Sequence, residues 1–121
     1  MEIWVYNHLS NERRVIEIDA DEITIGRDES NSIVLKSPFV SRQHARLFKQ
    51  DGSYFVESIG LNGTTVANKT IGYKEKVKVS YGDEIRVGEF SLFMMAPSVR
   101  RDRRAAEIVT PKQRIIDLEE K

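Results

Sequence analysis

Turn signals cut the first 96 residues of this chain into short pieces: Asn7-His8, Asp28-Glu29-Ser30-Asn31, Asp51-Gly52, Asn62-Gly63, Gly82-Asp83 and Gly88-Glu89. No stretch before residue 100 carries the 3.6-residue apolar stripe of an amphipathic helix. The pieces alternate instead. Glu22-Ile23-Thr24-Ile25, Arg46-Leu47-Phe48, Ser53-Tyr54-Phe55-Val56-Glu57, Val77-Lys78-Val79 and Glu84-Ile85-Arg86-Val87 are short, with apolar and polar positions interleaved. Ile3 and Val5, then Val15, Ile16 and Ile18, Thr64-Thr65-Val66, and Phe90 to Met95 are further β-rich runs. A period of two with β-branched enrichment marks strands with one buried face. Strands this short at this spacing fit an all-β antiparallel sandwich of about eleven strands.

The chain has 121 residues, enough for one domain with its own core. It has no cysteine, which excludes disulfides and thiolate metal sites. Its 19 basic and 19 acidic residues balance, so bulk charge gives no reason to expect a nucleic-acid partner. The start, Met1-Glu2-Ile3-Trp4-Val5-Tyr6, has neither the basic region nor the long apolar stretch of a signal peptide. No run of about 18 apolar residues is present to span a membrane. A cytoplasmic location without a membrane partner is therefore expected.

The character changes near Pro97, which sets the expected domain at residues 1–97. Residues 98–109 contain Arg100-Arg101-Asp102-Arg103-Arg104 and are expected to form a charged, solvated linker. A basic run of this kind also gives salt-sensitive, unspecific affinity for nucleic acid, the less favoured reading here. Residues 110–121 look like the start of a helix, with Thr110 as N-cap, Pro111 at the first helical position and Gln113 completing a capping box. So short a helix is marginal alone, so it is expected to lead into another domain or to dock on a partner.

The turns also carry a spaced set of polar residues: Gly26-Arg27, Ser41-Arg42-Gln43-His44 and Asn62-Gly63-Thr64. A guanidinium, a hydroxyl with a neighbouring guanidinium, and an amide can hold a phosphate and a peptide backbone together. The set lacks a nucleophile–base pair. The chain shows no Gly-rich phosphate loop or nucleophile elbow, and His8 and His44 are its only histidines. Neither an enzyme nor a metal or other cofactor is expected.

These residues resemble the signature of forkhead-associated (FHA) domains. The flanking runs agree: Ile23-Thr24-Ile25-Gly26-Arg27, Asn31-Ser32-Ile33-Val34-Leu35, Val40-Ser41-Arg42-Gln43-His44-Ala45 and Tyr81-Gly82-Asp83-Glu84-Ile85. The resemblance covers roughly residues 3–96 and implies a β-sandwich whose end loops read phosphothreonine peptides. It implies that Arg27 holds the phosphate, Ser41 donates a hydroxyl to it and Arg42 adds a second charge. Asn62 would bond the peptide backbone. Gly26, His44 and Gly63 would shape the loops, and Leu61 and Thr64 become candidate peptide contacts.

The implied partner is a phosphothreonine-containing protein in a Ser/Thr-kinase pathway, bound for regulation. Asn62-Gly63 reads equally as a two-residue hairpin turn that presents the Asn62 side chain. One departure stands out. Family members often carry a hydroxyl residue where Leu61 ends the run Glu57-Ser58-Ile59-Gly60-Leu61. That substitution motivates a competing expectation, a phosphate-independent scaffold with the same fold.

Overall fold

The computed structural model describes residues 1–96, so the expected linker at 98–109 and helix at 110–121 lie outside the described residues. Eleven strands follow in chain order: β1 (Glu2–Asn7), β2 (Arg13–Glu17), β3 (Glu22–Gly26), β4 (Ile33–Val34), β5 (Ala45–Gln50), β6 (Ser53–Ser58), β7 (Thr64–Val66), β8 (Lys69–Ile71), β9 (Lys76–Val79), β10 (Glu84–Val87) and β11 (Phe90–Met95). They form a six-stranded sheet in the order β2-β1-β11-β10-β7-β8 and a five-stranded sheet in the order β4-β3-β5-β6-β9. All pairings are antiparallel except the short parallel match of β3 with β4. Among the described residues there is no helix.

The alternation read from the sequence sets which face is buried. Ile3 and Val5 of β1, Ile85 and Val87 of β10, and Leu92 and Met94 of β11 project from the first sheet into the core. Ile23 and Ile25 of β3, Leu47 of β5, Val56 of β6 and Val79 of β9 meet them from the second. Each fully buried aliphatic side chain contributes roughly 1.5–3 kcal/mol, so this shared core holds the two sheets together. Phe48 breaks the alternation. It is buried on the outer side of the second sheet, stacked on Phe55 and covered by the Arg46 guanidinium 4.1 Å from its ring centre.

Asn62-Gly63 is not a hairpin turn. It connects β6 to β7, and these strands belong to different sheets, so the segment is a crossover over the end of the sandwich. The two-residue reversal with both residues at positive φ occurs instead at Ala67-Asn68, between β7 and β8, with φ of 49° and 70°.

Strand register brings three of the loops together. Ala45 pairs with Ile25 on one side and Ser58 on the other. The loops that follow β3, precede β5 and follow β6 therefore leave the sheet at one edge.

Candidate functional site

Two of these loops are joined through their backbones. The Arg27 N–H donates to Ser41 O at 2.9 Å, and the Asp28 N–H to Arg42 O at 3.2 Å. Gly26 permits this approach: a Cβ at that position would sit 2.2 Å from Arg42 O and 2.8 Å from Asn31 Nδ2. Asn31 braces the same junction. Its Nδ2 donates to Asp28 O and to Arg42 O, both at 2.8 Å, and the residue is only 7% exposed.

His44 ties in the third loop. Its ring is buried, and Nδ1 accepts the Ser41 backbone N–H at 3.0 Å. A backbone N–H can only donate, so Nδ1 is unprotonated; Nε2 carries the hydrogen and gives it to Gly63 O at 2.8 Å. The His44 carbonyl accepts from the N–H groups of Ile59 and Gly60, and its own N–H donates to Ile25 O. Burial pushes the imidazole pKa below its usual value, with the bond to Gly63 O opposing that shift.

A folded-state pKa below the unfolded one means that the unfolded chain takes up the proton first. The stability this group supplies is complete above about pH 6.5 and drains as pH falls from there toward the folded value. The melting temperature of the unliganded protein is expected to drop between pH 7.5 and 5.5. His44→Gln should start lower and show a shallower slope over the same interval, measured by differential scanning calorimetry.

On this frame the polar side chains face outward. Arg27 is exposed, and its Nε donates to Val40 O at 3.0 Å, which fixes one edge of the guanidinium. Among the described residues its two terminal nitrogens take no hydrogen-bond partner. Asn62 Nδ2 donates to Ser41 Oγ at 3.1 Å, which leaves the Ser41 hydroxyl hydrogen for another acceptor. Gly60 packs beneath Ser41: a Cβ there would come within 2.6 Å of Ser41 Oγ. Arg42 is exposed beside Asp28. The Asp28 carboxyl is held below its usual pKa by hydrogen bonds from the Ser30 hydroxyl and N–H, with the charges of Arg42 and Lys36 adding to them.

Arg27, Ser41, Arg42, Leu61 and Asn62 thus line one open depression of about 700 Å³, with Gly26, His44 and Gly63 in the framework behind it. Gly63 has φ of 76°, a conformation that glycine adopts without strain. Leu61 is 86% exposed on the rim.

Thr64 corrects the expectation of a peptide contact. It is 1% exposed, and its hydroxyl donates to Ser58 Oγ at 3.2 Å inside the sandwich. The strand period explains this: Thr64 opens β7 on the same face as the buried Val66, while Thr65 points away.

Asn31 and Asp28 are the additions that the structure makes to the set. Both lie in a stretch legible only as a turn and strand entry. Asn31 bonds backbone carbonyls that only the folded chain brings to it.

Comparison with known proteins finds a family-model match. The FHA domain family model matches residues 23–88. The "Oxoglutarate dehydrogenase inhibitor" of Corynebacterium diphtheriae is 38% identical over 76 residues, covering 62% of this chain and 51% of that protein. The chain spans about half the length of the curated relatives it matches. Among solved structures, Mycobacterium tuberculosis EmbR in complex with a low-affinity phosphopeptide is 28% identical with a TM-score of 0.60, covering 80% of this chain and 25% of that one. The FHA domain of CT664 from Chlamydia trachomatis superposes with a TM-score of 0.66 at 21% identity, covering 81% of this chain and all (100%) of that one, a likeness of fold.

Proposed function

The chain belongs to the FHA-domain family, and from that premise we propose that it is a non-catalytic module that binds phosphothreonine peptides. Its role in this reading is to couple a regulated assembly to a Ser/Thr kinase. The observation that carries the proposal is the convergence of Arg27, Ser41, Arg42 and Asn62 on one depression.

A phosphothreonine carries about −1.5 to −2 charges and three acceptor oxygens. The terminal nitrogens of Arg27 present a planar pair of donors to it. The Ser41 hydroxyl gives a further bond, and Arg42 adds charge. Each charge-assisted bond is worth roughly 1.5–3 kcal/mol, so two or three separate phosphorylated from bare peptide by several kcal/mol. The Asn62 amide offers both a donor and an acceptor to the peptide backbone beside the phosphate. Discrimination of threonine from serine rests on one methyl group, worth about 1–3 kcal/mol in a fitted pocket. The inhibitor name of the Corynebacterium relative supports a regulatory role.

Asp28 opposes this chemistry, because its carboxylate stands at the same depression. Asp28→Asn keeps an oxygen for the Ser30 N–H while it removes the charge. Phosphopeptide affinity is expected to rise about two- to fivefold at low salt, and the gain should shrink as salt screens it. Fluorescence anisotropy at two ionic strengths checks this; an affinity that falls at both would contradict the assignment of Asp28.

A second reading rests on Leu61, which is 86% exposed on the rim of the depression. An apolar rim can support phosphate-independent docking. Binding of a partner that survives Arg27→Ala and Ser41→Ala together would favour that reading.

A further inference from the structure

The outer face of the six-stranded sheet holds a second organised surface, away from the loops. Strand register orders it in rows. Trp4 pairs with Val15 of β2 and with Phe93 of β11, which gives an apolar row across three strands. Two residues along β1 in one direction, Glu2 pairs with Glu17 and Met95. Two residues in the other direction, Tyr6 pairs with Arg13 and Ser91. Trp4 is 44% exposed and Val15 is 59% exposed, unusual for large apolar side chains side by side. Together with Phe93, Tyr6 and Arg13 they line a groove of about 770 Å³, larger than the loop depression.

The polar corner of this groove is internally satisfied. Ser91 donates its hydroxyl to Glu84 and accepts from His8 Nε2 at 2.6 Å. The Ser91 proton is directed to the carboxylate and not to the imidazole, so this trio is not an activated nucleophile. Its bonds hold the rim of the groove in place.

What distinguishes the face is its charge order along the strands: acidic at Glu2 and Glu17, apolar at Trp4, Val15 and Phe93, basic at Arg13; on β10 the apolar row ends at Glu84, whose carboxylate accepts the Ser91 hydroxyl, and the basic end continues at Arg86. We propose that a second copy of this chain covers it, related by a two-fold axis that runs along the Val15–Trp4–Phe93 row. Such an axis turns the face over and reverses strand direction. Trp4 then packs on Trp4 of the second copy. The acidic end of each copy meets the basic end of the other, and two Arg13–Glu17 pairs form across the interface.

An isologous contact requires this kind of self-complementarity. Sheets stacked face to face sit about 10 Å apart, within reach of opposed arginine and glutamate side chains. At about 4.8 Å between strands and about 3.3 Å per residue, the three strands project roughly 250 Å² per copy, the footprint of a weak, transient contact.

The arrangement makes a distinctive prediction for charge reversal. Arg13→Glu alone places like charges at both cross pairs, and so does Glu17→Arg alone. A mixture of the two variants restores both pairs in the heterodimer. Residues 13 and 17 are both exposed, so the fold tolerates either change.

Sedimentation velocity of the full 121-residue chain at low ionic strength tests the proposal. The unmodified protein should dimerise in the range of about 10 μM to 1 mM. Each single variant should associate at least about tenfold more weakly, and the equimolar mixture should return to within about threefold of the original. Trp4 is the chain's one tryptophan, so its emission should shift to shorter wavelength as the dimer forms. A chain monomeric up to about 1 mM, association unaffected by the variants, or a mixture as weak as its components would overturn the proposal. Trp4 already shielded in the monomer would overturn it too, because the chain's own remaining residues would then cover the face.

Discussion

Arg27→Ala is expected to lower affinity for a phosphothreonine peptide by at least about 100-fold while the protein stays folded. The size follows from what the side chain offers. Two terminal guanidinium nitrogens face the depression, and two charge-assisted bonds to phosphate represent about 3–6 kcal/mol. The stability cost is small by comparison. Arg27 is exposed, and its side chain's one bond among the described residues, from Nε to Val40 O, is worth about 1 kcal/mol. Arg27→Lys separates charge from geometry. Lysine keeps the charge but loses the planar pair and the Val40 brace, so it should recover only part of the affinity. Isothermal titration calorimetry with matched peptides, beside a thermal melt, measures both quantities. Equal affinity for the original and alanine forms would remove Arg27 from the site.

Gly26→Ala is expected to have the largest effect on the framework. The added Cβ would lie 2.2 Å from Arg42 O and 2.9 Å from the Arg42 carbonyl carbon, both backbone atoms. Neither can rotate away. The loop after β3 and the loop before β5 must separate, and the bonds from Arg27 N and Asp28 N are strained or lost. Overpacking against backbone costs about 1–3 kcal/mol, and the broken bonds add to it. A melting temperature lower by roughly 10 °C or more is expected for a domain of this size. Phosphopeptide binding should fall with it, because Arg27 and Ser41 no longer share a register. Gly52→Ala provides the contrast. Its φ is 81°, but nothing lies within 4 Å of the added Cβ. That change should cost only about 1–2 kcal/mol, from backbone conformation alone, and leave binding intact. If the two variants melt alike, the close approach at Gly26 is not what locks the loops.

The parts of this molecule that were legible in the sequence are those fixed by local periodicity. Ile23 and Ile25, or Ile85 and Val87, announce a strand and its buried face by spacing alone. The candidate loops were legible because the order and spacing of Gly26-Arg27, Ser41-Arg42-Gln43-His44 and Asn62-Gly63 resemble the FHA signature. Long-range placement was less accessible. Asn62-Gly63 has the composition of a hairpin turn, yet β6 and β7 lie in different sheets; only the sheet order decides between the two. Thr64 follows the motif residues in the chain, but strand alternation turns it inward. Asn31 reads as a turn residue until the Asp28 and Arg42 carbonyls are placed around it. The row of Val15, Trp4 and Phe93 joins residues that are distant in the chain, and only register reveals it.

Titration of one immobilised peptide library, fixed at phosphothreonine in one arm and at threonine in the other, tests the central claim most directly. Measured at fixed salt with the full chain, the phosphothreonine arm should bind and the threonine arm should not, with a difference of at least about 100-fold. Equal binding to both arms, or binding to neither, would contradict the assignment of the Arg27–Ser41–Asn62 depression as a phosphothreonine reader.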